Sequence, residues 1–306
     1  MKYLMFIFAF LTANLFSQNT FEFLRVDVSP RVAALGGTFS AANDDPDVIF
    51  YNPAGLAYIS GGPVSFSYTE HLVGIKFASF SASKGIEHFG RVGVGIKYVN
   101  YGSFTGADED GNKLGEFGAG EVAFKGSYSN NLDDNLSYGL SAGFIYSKLA
   151  DYSSTGFAID LGLNYSIYSE RINLAISLLN AGSQLSSYIN TKEQLPFEIV
   201  AGLTKRLQYL PLKMYLDFHR LNQAGSISSR LKYFTFGGEF SLGKSLRLRL
   251  GYDNNKRTDL KIGNFAGLAG FNIGLGIIVG SYQVNYSYSS LGQIGAIHQF
   301  GITTSL

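Results

Sequence analysis

The sequence predicts an all-β chain closed into a membrane-spanning barrel. Three observations predict it: runs of period-two hydrophobicity, about fourteen such runs, and connections that alternate in length. In residues 91–100, Val92, Val94, Ile96 and Tyr98 share one face, and Arg91, Gly93, Gly95 and Lys97 the other. Residues 157–167 repeat this, with Phe157, Ile159, Leu161, Leu163, Tyr165 and Ile167 opposite Ala158, Asp160, Gly162, Asn164 and Ser166. In residues 245–253, Leu246, Leu248, Leu250 and Tyr252 oppose Arg247, Arg249 and Asp253.

A water-facing sheet alternates in the same way, so count and spacing carry the argument. Strands are expected at 64–70, 72–83, 89–101, 115–129, 134–149, 154–168, 171–180, 196–207, 211–220, 232–242, 245–254, 265–278, 281–289 and 295–306. Their number is even, as bacterial outer-membrane barrels require, and most are long enough to cross a bilayer when tilted. Turns at 130–133, 169–170, 208–210 and 243–244 are tight, while GSFTGADEDGNKLG, AGSQLSSYINTKEQL, NQAGSISSR and NKRTDLKIGN between them are long. Short turns on one rim and long loops on the other mark the periplasmic and extracellular sides. Tyr98, Tyr101, Tyr128, Tyr146, Tyr165, Tyr168, Tyr286 and Tyr288 fall toward strand ends, where interfacial girdles belong. The last strand ends on Leu306, with Phe300 the nearest aromatic, a departure from the aromatic ending usual in such barrels.

Residues 1–17, MKYLMFIFAFLTANLFS, set Lys2 before an apolar run that ends at Leu15, and then the small Ser17. This is the layout of a secretory signal, too short to span a bilayer comfortably, so the mature chain is expected from Gln18. The expected organisation is a signal peptide at 1–17, a hatch at 18–62 and a transmembrane barrel at 63–306. A net charge of +1 gives no electrostatic reason to expect nucleic acid, and zero cysteines exclude disulfides, thiolate metal sites and cysteine nucleophiles.

The hatch contains DDPDVIFYNPAGLAY, residues 44–58. Asp45 can cap a short helix that begins at Pro46, and Asn52 with Pro53 can repeat the device ahead of Ala54 and Gly55. Asp44, Asp45 and Asp47 read as caps or as partners of lumen cations rather than as a metal site. So small an insert needs a host, and a barrel wider than eight strands has a lumen that side chains alone do not fill.

Charged residues expected on the inward face are Arg91, Lys97, Asp160, Lys213, Asp217, His219, Glu239, Arg247, Arg249 and Asp253. Mutual pairing is the expected role, with an ion or polar-solute path as the alternative. His71, His88, His219 and His298 show no metal-ligand spacing. GLGIIVG at 274–280 reads as glycine thinning a barrel wall, not as a dinucleotide loop, and DEDGN at 108–112 as a solvated turn. No enzyme, cofactor or metal is expected.

The segment FEFLRVDVSPRVAALGGTFSAANDDPDVIFYNPAGLA combines Phe-Leu-Arg, Ala-Leu-Gly-Gly, an acidic step and Asn-Pro-Ala within some thirty residues. It resembles the amino terminus of the PorV/PorQ family of outer-membrane proteins, themselves similar to FadL-type barrels. FLRVDVS and the later YSSTGFAIDLGLNYSIYSERINLAISLLNAGSQL resemble the PorQ branch. The resemblance implies a fourteen-stranded barrel with a hatch, serving type IX secretion by anchoring a PorZ-like surface protein in a complex with PorU-like and PorV-like partners. The longer loops 102–114, 181–195, 221–231 and 255–264 are the expected partner surface. The alternative is a FadL-like transporter of hydrophobic molecules, with Phe39, Val48, Ile49, Phe50, Leu56 and Ile59 lining an apolar pocket, although these equally suit plug packing. A third reading, a porin-like barrel, requires an open aqueous lumen.

Overall fold

The computed structural model describes residues 19–261 and 267–305; the expected signal peptide lies outside them. Fourteen strands follow one another around the wall: β1 (Pro63–Glu70), β2 (Lys76–Ile86), β3 (Gly90–Ala107), β4 (Lys113–Asn131), β5 (Leu136–Leu149), β6 (Tyr152–Ile167) and β7 (Ile172–Ser186). The second half comprises β8 (Glu198–Arg206), β9 (Leu212–Phe218), β10 (Phe234–Leu242), β11 (Leu246–Asp253), β12 (Phe271–Val279), β13 (Tyr282–Ser290) and β14 (Ala296–Ser305). Each pairs antiparallel with its neighbour, and β1 closes on β14 from Pro63 opposite Ser305 to Glu70 opposite His298. Closure leaves no unpaired edge to face lipid.

The parity of the connections holds in part: one rim has short connections throughout, while the other mixes long loops with the short 71–75, 108–112, 150–151 and 291–295. Residues 87–89, 132–135, 168–171, 207–211, 243–245 and 280–281 connect strands on one rim, and the longer 187–197 and 219–233, with 254–261 and 267–270, lie on the other. The first is the periplasmic rim and the second the extracellular one.

Strand chemistry explains the wall. Inward positions are small and polar, as with Ser79, Ser81, Ser83, Ser127, Ser129, Ser137 and Ser141, all buried. Outward positions are apolar and open: Phe66 is 50% exposed and Phe124 49%. Such an apolar belt is tolerable only against lipid. Toward the extracellular rim one ladder row sets Tyr286, Phe300, Tyr68, Tyr98 and Tyr146 around the outside, with Ala78 and Val122 between them. Toward the periplasmic rim Phe89, Tyr128 and Tyr138 meet edge to face. These are the two aromatic girdles of an outer-membrane barrel.

The larger differences from the expected boundaries fall at β2, the β3–β4 hairpin, β7 and β12. β2 starts at Lys76, because Leu72–Gly74 forms a 3-10 turn with Val73 at φ 60°. The segment 102–114 is mostly strand, with β3 and β4 continuing as a hairpin whose tip is 108–112. β7 extends to Ser186, into the expected loop 181–195. β12 begins only at Phe271, after the helix Asn254–Asp259 has occupied much of the expected loop 255–264.

Candidate functional site: the plug and its seat

Residues 19–62 fill the lumen. The Thr20 amide donates to the Gln194 carbonyl at 2.9 Å in the extracellular β7–β8 loop, so the described chain starts near that rim. Phe21 and Phe23 then pack on Val99, Ala123, Ile145, Ala158 and Leu195. Helix α1 (Pro30–Ala34), with Pro at its first position, is buried whole against β11 to β14. Two 3-10 helices follow, Pro46–Phe50 and Pro53–Tyr58, before the chain enters β1. Asp45 caps the first by accepting from the Asp47 amide, and Asn52 caps the second by accepting from Ala54, as the sequence pattern predicts.

The plug has its own core of Val28, Val32, Leu35, Phe39, Val48, Ile49, Phe50 and Leu56, with Tyr215 of β9. Phe39, Val48, Ile49 and Leu56 are completely buried in it, and Phe50 nearly so, with Ile59 packed at its margin. Of the two roles left open for these residues, the structure shows plug packing, with Phe50 also forming part of the wall of a chamber beside the plug.

Glycines in the wall let the plug approach. A side chain at Gly139 would strike the peptide joining Pro53 and Ala54, and one at Gly251 the peptide joining Leu35 and Gly36. Gly274, within the glycine-rich stretch of β12, faces the methyl of Ala34. Gly36 turns the chain after α1 at φ 75°, a conformation that favours glycine.

Buried charge fastens the plug. Arg31 bonds Asp44 and Asp45 at 3.1 Å and reaches Glu239 of β10 at 3.0 Å. Glu239 also accepts from Arg249 Nε at 2.6 Å, and Lys213 meets Asp44 at 3.1 Å. Asp217 accepts from the amides of Phe39 and Ser40, both at 2.9 Å, and from Ser40 Oγ. Asp47 accepts from Ser65 and Ser81. Lys97 caps the Leu24 carbonyl at 2.5 Å, and Arg91 donates to the Gly61 carbonyl at 3.1 Å. Asp160 pairs with Lys125 and accepts from the Asn180 amide where β7 bulges. Asp253 caps the helix α3 (Asn254–Asp259); α2 is the short turn Ile227–Arg230 in the loop before it. Lys256 of α3 then reaches Asp27 of the plug at 2.9 Å, tying an extracellular loop to it. Arg247 bonds only the carbonyls of Gly243 and Leu246 near the periplasmic rim.

The expected lumen charges thus face inward; Lys213 meets Asp44 of the hatch motif directly, Glu239 reaches it through Arg31, and Asp217, Lys97 and Arg91 bond other parts of the plug. Arg31 was missed by sequence reasoning, although it is a lone cation in the apolar run VSPRVAALGG ahead of three aspartates. Lys125 and Ser40 carried no signal of their own.

The cluster sets the plug's response to pH. Arg31 and Lys213 hold Asp44 far below its ordinary value, overcoming the opposing effect of burial. Asp45 is pushed up to about 7, first by burial and then by the neighbouring Asp47 carboxylate, against the pull of Arg31. From the ordinary 3.8 up to about 7, the docked plug retains a proton that the released plug has lost. Docking therefore weakens as pH rises through that window and levels off above it. Limited proteolysis of residues 19–62 between about pH 4.5 and 6.5 checks this: cleavage quickens with pH, and Asp45→Asn flattens the slope. Slower cleavage at higher pH would contradict it.

Asn52 offers a second test. Besides its cap, its Nδ2 donates to the Ser40 carbonyl at 2.9 Å and to the Leu163 carbonyl of β6 at 3.2 Å, with the residue fully buried. Asn52→Ala is expected to cost about 1–3 kcal/mol, seen as a lower melting temperature of the plug with the barrel still assembled.

Two chambers flank the plug, the periplasmic one lined largely by charge and the extracellular one by charged groups together with Phe50, Tyr51, Leu179 and Val200. The periplasmic one, about 600 Å³, is lined by Arg31, Asp44, Arg206, Lys213, Glu239 and Arg247. The extracellular one, about 200 Å³, is lined by Asp27, Asn180, Asp217, His219, Asp253 and Lys256 among others. Among the described residues no cluster of His, Asp and Glu is suited to a metal ion.

A closed fourteen-stranded barrel with girdles and a bonded plug defines an integral bacterial outer-membrane protein of the FadL fold. Solved structures of the same architecture are the toluene transporter TbuX of Ralstonia pickettii (12% identity, TM-score 0.62) and the toluene transporter TodX of P. putida (11%, 0.58). A Pseudomonas aeruginosa FadL homologue is also similar (10%, 0.57). Each alignment covers 92% of this chain and 99% of the other. At these identities the likeness concerns the fold. No protein-family model and no curated protein matches the chain.

Proposed function

We propose that this chain is a plugged outer-membrane barrel that holds a surface protein through its extracellular rim, the anchoring role in type IX secretion that the PorV/PorQ resemblance implies. The observation that carries the reading is the plug's attachment: Arg31, Asp44, Asp45, Glu239, Lys213 and Arg249 form one network across plug and wall, buried except at Asp44, which opens on the periplasmic chamber. A plug held in this way, with charged groups in the chambers on both sides, suits a rigid mount better than a path for apolar solutes. The loops at 187–197 and 219–233, with 254–261 and 267–270 and the β3–β4 hairpin, are the surface offered to a PorZ-like partner.

Passage of hydrophobic molecules is the second reading, and the fold comparisons favour it, since the similar barrels include two named as toluene transporters. One experiment separates the two. Residues 221–231 and 255–264 are shortened in turn in the native cell, and surface retention of the PorZ-like protein is measured beside uptake of toluene. The anchor reading expects retention to fall with uptake unchanged from a strain lacking the barrel. Full retention, with uptake that depends on the barrel, would overturn it.

A further inference from the structure

The β3–β4 hairpin outruns its neighbours. Lys76 at the start of β2 pairs with Asn100, and Leu149 at the end of β5 pairs with Ala119, whereas β3 and β4 stay paired out to Ala107 and Lys113. At the hairpin's base, on the outside of the wall, lies a groove of about 1080 Å³.

The groove changes chemistry along the membrane normal. Its lower lip is the girdle row of Tyr98, Val122 and Tyr146, which marks where hydrocarbon gives way to head groups. One row higher, Asn100, Gly120 and Lys148 stand side by side on the outward face. Higher still, Ser103 and Glu116 bond one another at 3.0 Å, and the floor beside them is Gly118, with no side chain to fill the space. Lys148 is exposed and has no ion-pair partner among the described residues.

We propose that this groove holds the phosphorylated sugar head group of an outer-leaflet glycolipid. Its acyl chains lie on the girdle tyrosines, its phosphate meets Lys148, and its sugar hydroxyls meet the Asn100 amide and the Glu116 carboxylate. An amphiphile of this kind presents the same order of groups along the membrane normal: apolar, then anionic, then hydroxylated. Continuity with the girdle singles out a lipid. Above Tyr98 and Tyr146 the groove wall is mostly glycine and polar side chains, with Leu114 and Phe117 as its large apolar members out along the hairpin, so its apolar surface is split between the two ends and does not form the single apolar centre of a protein interface. The inference rests on the barrel's place in the outer membrane and is independent of the anchoring role.

The test is native mass spectrometry of the intact barrel in a polyoxyethylene detergent, with purified lipid A or phosphatidylglycerol added at equal concentration. Lipid A is expected to remain bound at least about fivefold more than phosphatidylglycerol, because it adds sugar contacts to the shared charge. Lys148→Gln is expected to lower lipid A retention about five- to tenfold. Gly118→Leu, whose added carbon finds its nearest neighbour, the Gly102 carbonyl oxygen, at an ordinary 3.7 Å, is expected to do the same by filling the floor. Heat-modifiable migration on a gel confirms that each variant is a closed barrel. Equal retention of the two lipids, or unchanged lipid A binding in both variants, would overturn the proposal.

Discussion

Arg31→Met is expected to release the plug while leaving the barrel assembled. The guanidinium is the common partner of Asp44, Asp45 and Glu239, and its side chain is only 8% exposed. Lys213 still compensates Asp44, and Arg249 still compensates Glu239. Asp45 loses its one salt-bridge partner among the described residues and stays buried beside Asp47. Breaking a buried pair from one side costs about 3–5 kcal/mol, more than the margin by which most ordered segments stay docked. The wall does not depend on this contact, because its ladders close through backbone pairing. The variant should therefore keep its heat-modifiable migration, expose residues 19–62 to protease, and pass current in planar bilayers. Arg31→Lys should recover part of the docking, since charge returns without the fork that reaches Asp45 and Glu239 together. A protected plug in Arg31→Met would contradict the account.

Gly139→Leu is expected to have an effect of similar size by a steric route. Gly139 of β5 lies against the Pro53–Ala54 peptide, and the Ala54 carbonyl of the next peptide accepts from Ser129 at 3.2 Å and Ser137 at 3.0 Å. The atoms nearest a side chain there are all backbone of that one peptide, with no flexible side chain among them to yield. Overpacking of this kind costs about 1–3 kcal/mol, and loss of the two hydroxyl bonds to the plug adds to it. Gly126→Leu on β4 is the control, because nothing lies within 4 Å of its added carbon. Protease protection should fall in the first variant and stay intact in the second; equal protection would contradict the role assigned to the wall glycines.

Much of this architecture was legible in the sequence. Alternation such as Val92, Val94, Ile96 and Tyr98 is imposed by a wall with lipid on one side, and each of the fourteen expected strands overlaps one in the structure. The caps at Asp45 and Asn52 were legible because proline directly after each fixes where a helix can begin. The hairpin 102–114 was not: Gly102, Gly106, Gly111 and Gly115 resemble turn chemistry, and only the pairing of β3 with β4 shows that they lie in or beside strands. β12 was placed too early because the apolar residues ahead of Phe271 extend the strand pattern, whereas the structure turns just before it through residues 267–270. The network around Arg31 was legible only by halves. Its acids share one short stretch with two helix caps, but Lys213, Glu239 and Arg249 reach them through barrel closure, which composition and spacing do not specify.

The central claim is that the plug is a fixed seal, and planar-bilayer recording of the wild-type protein tests it most directly. Insertion at neutral pH should give no steady conductance, while Arg31→Met and Gly139→Leu inserted under the same conditions should open. A large, steady conductance from the wild-type barrel, equal to that of the two variants, would contradict the account.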